Sequence, residues 1–387
     1  MEGKNLKILL APTFEIASQA AKQNNIVATV EAEYGDDCVE GKLVTLAHHG
    51  PRSMNPAPCN TQNVPVLNDG DVVLVSHLDL DTLGGLLALE GIKPDSPEFW
   101  KYAEFIDVNG PQHMYEVPQN VQDMLNAFYA WSETQGRVRY TELTDVTDKV
   151  NAANATISLI CDSRDPQQKQ MIQAGKDWVE NATKAVEACL YQEDDLVRAF
   201  ISDGVFCAGS YYSPTMEKPI PATVTFNKKT QAITVAFFDA ERDGLNACEI
   251  VQKLWGPLAG SRAGIAGSPR GQEMTMGDFY AAVSATKTAV QEKLIDKLIP
   301  ETNESLRNAP LGAKETALGI SEKYGIGLDE ITYEPDTKGN GTEALICRGE
   351  VGAILDPATH FCIKEYHDQL VEVADKDNRE DVGDDAI

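Results

Sequence analysis

Short apolar runs separated by polar segments recur through the first half of the chain. Five of these runs are rich in Val, Ile and Leu, and several of the five are nearly continuous, which is typical of strands covered on both faces of a parallel sheet. Strands that alternate with helices predict an α/β fold, and we expect a parallel-sheet N-terminal domain over residues 1–200. The predicted strands are 6–12, 42–47, 71–76, 103–106 and 155–161, and the predicted helices are 83–92, 121–134 and 167–199.

The pattern changes after a boundary that we place at about 200–215. A hairpin, two helices and a glycine-rich loop between the helices predict a second, smaller mixed α/β domain over 215–300. The hairpin is predicted at 222–238, the helices at 244–256 and 276–299, and the loop at 256–271. Beyond it, residues 310–387 predict an acidic appendage of unknown role, and its end at 372–387 predicts a solvated tail.

The net charge restricts the partners of the protein. The 387 residues contain 60 Asp and Glu against 33 Lys and Arg, which gives a formal net charge of −27. Such a surface repels a phosphate backbone, so we expect no long nucleic acid as a partner. A small anionic substrate that contains phosphate would need metal ions or arginines around it to offset this charge.

Cysteine spacing and hydropathy favour a cytoplasmic protein. The eight cysteines are scattered without a Cys-x-x-Cys pair, so neither a disulfide framework nor a zinc ribbon is expected. No run of about 18 apolar residues is present, and the apolar run at 6–12 is too short for the core of a signal peptide. We therefore expect no membrane partner. The sequence leaves the oligomeric state open, with a homodimer as one possibility.

Histidines and aspartates follow several of the predicted strands. Because ligands of open α/β sheets bind at the carboxyl ends of the strands, we expect these side chains to converge. Imidazole and carboxylate together suit divalent Mn, Fe, Co or Zn, and two bridged ions can activate a water and hold a phosphoryl group. The candidates are His48, His49, His77, Asp79, Asp81, Asp107, His113 and Asp162.

Each of these signals also has a structural explanation when it is taken alone. The pattern His77-x-Asp79-x-Asp81 occurs in solvated loops, and adjacent histidines are often structural. Asp107 suits a turn in which it bonds its own backbone, and Asp162 suits the cap of a following helix. The convergence of the whole group favours a metal site over these separate explanations.

The glycine-rich segment GSRAGIAGSPRG is a second candidate site. Glycines let backbone N–H groups approach an anion closely, and arginines supply paired donors for phosphate or carboxylate. A tight turn with both arginines in surface ion pairs is the structural alternative. No Gly-Lys-Ser/Thr follows, so the segment is not a P-loop. Its candidate anion-binding residues are Gly260, Ser261, Arg262, Gly264, Gly267 and Arg270.

Two segments resemble motifs of the DHH (Asp-His-His) phosphoesterase superfamily, and the resemblance covers roughly residues 40–300. DVVLVSHLDLDTLGGLLAL resembles its first motif, in which a strand ends in His-x-Asp-x-Asp and a helix follows. GSRAGIAGSPRG is similar to the motif Gly-Gly-His-x-x-Ala-Ala-Gly of its C-terminal substrate domain, with Ser261 and Arg262 replacing a glycine and the histidine. No Asp-His-His triplet occurs in the chain, and Thr82 occupies the usual position of a glycine.

The resemblance implies a metal-dependent phosphoesterase that binds two Mn²⁺ ions, with Mg²⁺, Co²⁺ or Zn²⁺ as alternatives. It implies that Arg262, and less directly Arg270, hold the phosphate of the substrate. Asp162 is the candidate for the last metal ligand. The other ligands that it implies are His77, Asp79, Asp81 and Asp107.

Three functions are consistent with the sequence. The first is metal-dependent hydrolysis of a phosphodiester, a short oligonucleotide or pyrophosphate, with His48, His49 or His113 as the acid that protonates the leaving oxygen. The second is a non-catalytic nucleotide-binding or regulatory protein whose site has degenerated. The third is an amide or ester hydrolase with one metal ion, held by His48, His77 and an aspartate.

Overall fold

The computed structural model divides the chain into two compact units, Met1–Ala188 and Cys189–Ile387. Their sheets and helices confirm the α/β class that the sequence predicts. The structure describes residues 4–136, 138–214, 216, 218–335 and 343–380, with side chains as far as 374.

The first unit is built on a five-stranded sheet. The strands of this unit are β1 (Lys7–Leu10), β2 (Ile26–Val30), β3 (Glu33–Tyr34), β4 (Asp37–Cys38), β5 (Val44–Leu46), β6 (Val72–Val75) and β7 (Thr144–Asp145). The sheet has the order β5-β2-β6-β1-β7, while β3 and β4 form a separate short hairpin. The four strands β5, β2, β6 and β1 are parallel, and β7 runs antiparallel to β1. The carboxyl ends of the four parallel strands therefore lie at one edge.

Helices cover both faces of this sheet. They are α1 (Phe14–Gln23), α2 (Leu80–Glu90), α3 (Pro97–Asn109), α4 (Gln119–Thr134), α5 (Thr147–Cys161) and α6 (Pro166–Glu187). Val73 and Val75 of β6 pack into the larger core with α2 to α5, whereas Leu74 packs into the smaller core with α1. Burial on both faces explains why the run 71–76 is apolar throughout, as the sequence predicts for a parallel strand.

Two predicted strands of this unit are wrong. Residues 103–106 lie inside α3 and residues 155–161 lie inside α5. In α3 the buried Phe99, Ala103 and Ile106 recur at helical spacing, so the short apolar run is part of a longer helical stripe. A short apolar run by itself does not distinguish a strand from a buried helix. The strands predicted at 6–12, 42–47 and 71–76 are confirmed as β1, β5 and β6.

The second unit begins with a six-stranded sheet. Its strands are β8 (Leu190–Glu193), β9 (Val197–Ser202), β10 (Ala222–Asn227), β11 (Ala232–Phe237), β12 (Gly260–Ser261) and β13 (Ile265–Gly267), and its helices are α7 (Ala240–Asp243), α8 (Ala247–Trp255) and α9 (Met276–Asp296). The predicted hairpin is confirmed as β10 and β11. The predicted helix 167–199 is too long, because α6 ends at Glu187 and the rest forms β8 and β9. The predicted glycine-rich loop contains the short antiparallel pair β12 and β13.

The acidic C-terminal region contains a four-stranded antiparallel sheet. Its elements are α10 (Glu304–Arg307), α11 (Leu311–Tyr324), β14 (Ile331–Glu334), β15 (Glu343–Cys347), β16 (Glu350–Leu355), β17 (Cys362–Glu365) and α12 (His367–Glu380). Leu370 and Val373 of α12 are buried with Leu345 and Leu355 of the sheet. The solvated tail predicted at 372–387 is therefore wrong at its start, since one face of an acidic helix packs there; residues 381–387 lie outside the described residues. No described helix combines the length and apolar content needed to cross a lipid bilayer.

Candidate metal centre

Glu31 occupies the middle of the candidate centre, at the carboxyl end of β2. Its φ of 48° lies in the left-handed region, which costs a non-glycine residue about 1–3 kcal/mol. Its backbone N–H donates to the Leu46 carbonyl at 2.8 Å, and its carbonyl accepts the Ser76 hydroxyl. These bonds to β5 and to the end of β6 hold the turn, and the Glu31 side chain is fully buried.

His48 and His49 reach Glu31 from the end of the neighbouring strand β5. Their Nε2 atoms lie 2.8 Å and 3.0 Å from Glu31 Oε1. Their backbone N–H groups both donate to Oε2 of Glu33, at 3.0 Å and 3.1 Å. Glu33 therefore fixes the turn that presents both imidazoles to Glu31.

His77 approaches Glu31 from the other side, at the end of β6. Its Nε2 lies 3.0 Å from Glu31 Oε2 and 2.8 Å from Asp79 Oδ2. Its Nδ1 lies 2.7 Å from the Ser76 hydroxyl. One oxygen of the Glu31 carboxylate thus faces His48 and His49, and the other faces His77.

Asp79 and Asp81 lie where α2 begins. The sequence predicts an extended segment here with a helix from about Thr82, but α2 begins at Leu80 with Asp79 as its N-cap. Asp79 Oδ1 accepts the Thr82 N–H at 2.8 Å, which leaves Oδ2 for His77. Asp81 is buried on the first turn, where Oδ1 accepts the Cys59 N–H at 2.7 Å and Oδ2 lies 3.2 Å from His48 Nε2.

Asp107 joins the group from a helix. It lies near the end of α3, and its Oδ2 is 3.5 Å from His48 Nε2. The sequence predicts that Asp107 follows a strand, which is wrong because residues 103–106 belong to α3. The packing of α3 on the sheet nevertheless brings this carboxylate to the same place.

These side chains form three overlapping donor sets whose potential ligand atoms lie within 4.8 Å of one another. Three buried carboxylate oxygens converge on the buried Nε2 of His48, namely Glu31 Oε1 at 2.8 Å, Asp81 Oδ2 at 3.2 Å and Asp107 Oδ2 at 3.5 Å. Within the described part of the chain, none of these four atoms makes a hydrogen bond of good geometry. Buried polar atoms are normally hydrogen-bonded, so their convergence indicates a place for a cation. The sets are Glu31 with His48 and His49, Glu31 with His77 and Asp79, and His48 with Asp81 and Asp107.

The charges of the centre are strongly coupled. Burial alone would lower the pKa of His48, but the facing carboxylates of Asp81 and Glu31 raise it to about 10. Burial and the nearby carboxylates of Asp79, Asp81 and Glu31 raise the pKa of Asp107 to about 6. Protons on the histidines therefore balance the carboxylates, and a bound cation would replace those protons.

His77 and Glu31 show the same coupling. Burial acts to lower the pKa of His77, yet Asp79 and Glu31 raise it to about 10. Burial acts to raise the pKa of Glu31, but its contacts with His48 and His77 hold that pKa well below the usual value. Because this carboxylate stays ionised at every ordinary pH, it remains available as a ligand.

Two sequence candidates lie outside the donor sets formed by the described residues. His113 follows α3 in a short 3₁₀ turn, and its Nδ1 lies 2.7 Å from Glu116 Oε1. Asp162 caps the end of α5 and pairs with Arg164 at 2.9 Å on the surface. Asp162 was expected to follow a strand, and the helical conformation of residues 155–161 places it at a helix end instead.

The glycine-rich segment lies in the second unit and forms a tight hairpin. Gly260 has a φ of 133°, and a Cβ there would lie 2.6 Å from the Cys248 sulfur, so only glycine fits without a shift. Arg262 and Arg270 are exposed. No ion pair joins either guanidinium to another described residue, which differs from the structural alternative of two paired arginines.

Glu31 is the functional candidate that the sequence analysis missed. The preceding run Ile26–Val30 is β-branched and strand-like, but it is not among the predicted strands. An acidic residue directly after a buried strand is the same signal that identified His48 and His77. Recognition of β2 would have been enough to add Glu31.

Comparisons with known proteins do not place the chain in a family. No family model and no curated protein matches it. Among solved structures it is similar to PggH, a pGpG-specific phosphodiesterase from Vibrio cholerae, with 11% identity, 59% of this chain and 82% of that chain covered, and a TM-score of 0.31. An uncharacterized protein from Helicobacter pylori G27 shows 11% identity, 57% and 75% coverage, and a TM-score of 0.20. At TM-scores this low, neither likeness assigns an activity.

Proposed function

We propose that this protein is a metal-dependent phosphoesterase that hydrolyses a small phosphorylated substrate, such as a phosphodiester, a short oligonucleotide or pyrophosphate. The observation that carries the proposal is the convergence of three buried carboxylate oxygens, from Glu31, Asp81 and Asp107, on the buried Nε2 of His48. None of these four atoms makes a hydrogen bond of good geometry among the described residues. Asp81 and Asp107 lie on α2 and α3, and Glu31 and His48 lie just after β2 and β5, so regular elements of one unit position all four.

Two divalent cations suit this arrangement. Glu31 belongs to two donor sets and has one oxygen on each side, so it is placed to contact both ions. Imidazole with carboxylate suits divalent Mn, Fe, Co or Zn, and no cysteine belongs to the sets that the described residues form. We propose Mn²⁺, with Mg²⁺, Co²⁺ or Zn²⁺ as alternatives. The resemblance to the DHH superfamily agrees with a pair of Mn²⁺ ions.

The metal centre has a buried side and a side that is open to solvent. Glu31, Asp81 and His48 are buried, whereas the side chains of His49 and His77 are 46% and 45% exposed. Substrate therefore approaches the side of His49 and His77. His49 Nε2 belongs to the donor set of Glu31 and His48, so His49 would hold a cation on this side rather than give a proton to a leaving oxygen. Bound metal ions would supply an acidified water and offset the charge of the phosphoryl group.

A hydrolysis assay with matched variants tests this function. The substrates are bis(p-nitrophenyl) phosphate, a dinucleotide and pyrophosphate, each with Mn²⁺ and with EDTA. We expect Mn²⁺-dependent turnover of at least one substrate, and at least a 100-fold loss in Asp81→Asn. Asp162→Asn makes the same chemical change on the surface and should retain the activity. Equal rates for the wild type and Asp81→Asn would rule the proposal out.

One observation favours a second candidate. Glu31, His48 and His49 make a set of two histidines and one carboxylate, which is a ligand set of mononuclear zinc hydrolases. Metal analysis of the purified protein separates the two functions. One zinc ion per chain favours an amide or ester hydrolase, and two manganese ions favour the phosphoesterase.

A further inference from the structure

A cavity of about 400 Å³ lies in the first unit beside the metal centre. It is walled by the segments that follow β1 and β6 and by the helices α4 and α5. The metal centre lies at the carboxyl ends of β5, β2 and β6, and the next strand in the sheet is β1. The cavity therefore continues the same edge of the sheet by one strand.

The ring of His77 is shared between the two sites. Its Nε2 faces Glu31 and Asp79 in the metal centre, and the same side chain lines the cavity. Ser76, which contacts His77 Nδ1, lines the cavity as well. A group bound in the cavity would therefore lie directly beside a phosphoryl group held at the metal centre.

The walls of the cavity are mostly apolar and aromatic. The rings of Phe128 and Trp131 on α4 lie 5.8 Å apart at an angle of 38°, and Leu83 of α2 lies on the same lining. At one side the Tyr140 hydroxyl accepts a hydrogen bond from Lys149 Nζ at 2.9 Å. Aromatic walls with a few polar donors suit a flat, uncharged ring that carries acceptor atoms.

The described lining of the cavity offers little positive charge to a second strongly anionic group. Lys149 is the single Lys or Arg among the described residues of the lining, and its ammonium is already hydrogen-bonded to Tyr140. A polyphosphate would leave most of its charge without a partner here, in a chain with a net charge of −27. A sugar needs a hydrogen-bond partner for each hydroxyl, and its puckered ring covers the faces of Phe128 and Trp131 less completely than a flat aromatic ring does. A flat aromatic ring packs against the apolar walls and can accept hydrogen bonds from the few donors.

We propose that this cavity binds a flat aromatic group attached to the phosphoryl group on which the metal centre acts. The inference rests on the proposed function and gives it a substrate class, an aromatic phosphate ester rather than pyrophosphate or a sugar phosphate. Two kinds of phosphate ester carry such an aromatic ring. In one the ring is a nucleobase, and in the other it is a simple aryl group.

Equilibrium binding tests the inference without need for turnover. Calorimetric titrations with and without Mn²⁺ would compare adenosine and cytidine 5′-monophosphates with ribose 5-phosphate, and phenyl phosphate with methyl phosphate. We expect the ligand with the ring to bind at least tenfold more tightly in one or both comparisons. A preference only for the nucleotides identifies a nucleobase, and a preference for phenyl phosphate as well identifies any aryl group.

Two variants alter the cavity in opposite ways. Trp131→Ala removes a wall, and Ser132→Trp adds bulk at an exposed position of the lining. Each variant should reduce the preference for the ligand with the aromatic ring to less than threefold. Glu133→Trp adds the same bulk to the same helix outside the lining and should retain it.

Equal affinity for ligands with and without the ring would overturn the inference, as would an unchanged preference in Ser132→Trp and Trp131→Ala. A ring preference in a protein that hydrolyses no phosphate ester with Mn²⁺ would instead support the cavity assignment and rule out the proposed phosphoesterase. The two failures are therefore distinguishable.

Discussion

The Nε2 atom of His48 lies 2.8 Å from Oε1 of Glu31, and the two residues follow neighbouring parallel strands. Both side chains are almost completely buried. Burial of this pair, with Asp81 and Asp107 also within 3.5 Å of the same nitrogen, is costly unless a cation or protons balance the carboxylates. The relationship of Glu31 to His48 therefore connects the fold of the sheet to metal binding.

Replacement of Glu31 should remove metal binding. Glu31→Gln keeps the shape of the side chain but loses the charge that two donor sets share, so we expect at least a 100-fold lower affinity for Mn²⁺. The increase in melting temperature that Mn²⁺ gives the wild type should disappear, because that increase reflects ligand binding to the folded state. Glu40→Gln, on the exposed surface, is the matched control. An unchanged Mn²⁺ response in Glu31→Gln would contradict the assignment.

Glu33 should act as a positioning residue. Glu33→Ala removes the acceptor of the His48 and His49 backbone N–H groups, so we expect a 10- to 100-fold lower Mn²⁺ affinity without loss of the fold. Glu33→Gln keeps an acceptor oxygen and should restore most of the affinity. Calorimetric titration with Mn²⁺ measures both variants. If alanine and glutamine have the same effect, the charge of Glu33 matters and its bonds to the turn do not.

Glu90 should make stability depend on pH. Burial raises the pKa of this carboxyl from 4.5 to about 7, opposed by a hydrogen bond from Asn154. Because the folded pKa is the higher one, this contribution to the free energy of unfolding is complete below pH 4.5 and is lost as the pH rises through about 7. At pH 8.5, Glu90→Gln should therefore be more stable than the wild type by up to about 3 kcal/mol.

Urea unfolding at pH 5 and pH 8.5 measures this effect. The difference between Glu90→Gln and the wild type should be smaller at pH 5 than at pH 8.5, because the wild-type carboxyl is largely protonated at pH 5. The new amide can also donate to Asn154 Oδ1, which is buried without a hydrogen-bond partner among the described residues. Glu133→Gln, exposed at the end of α4, serves as the control. A difference that is independent of pH would count against ionisation of Glu90 as the cause.

The arginines of the glycine-rich hairpin should bind phosphate. Inorganic phosphate titrated into the EDTA-treated full chain reports on this site without metal-bound phosphate. The double variant Arg262→Ala with Arg270→Ala should bind at least tenfold more weakly. Arg242→Ala, whose guanidinium contacts Asp243 at 3.3 Å, should bind as the wild type does. Equal affinity in the double variant would leave the hairpin with a structural role only.

Part of the centre could be predicted from sequence because its residues follow recognisable strands. β5 and β6 are short, apolar and followed at once by His48 and His77, and the rule for strand ends applies to both. For Asp107 the predicted position at the end of a strand is wrong, and its carboxylate reaches the centre from α3 instead. The same prediction is wrong for Asp162, which lies at the end of α5.

The sequence by itself determined the α/β class, three parallel strands and the His77-x-Asp79-x-Asp81 segment, since these depend on residues close together in the chain. Only the tertiary structure decided that β2 lies between β5 and β6, and hence that Glu31 faces histidines from both sides. Strand order and helix docking depend on contacts between distant residues, which a local hydrophobic pattern does not encode. For the same reason, only the fold brought Asp107 of α3 to His48.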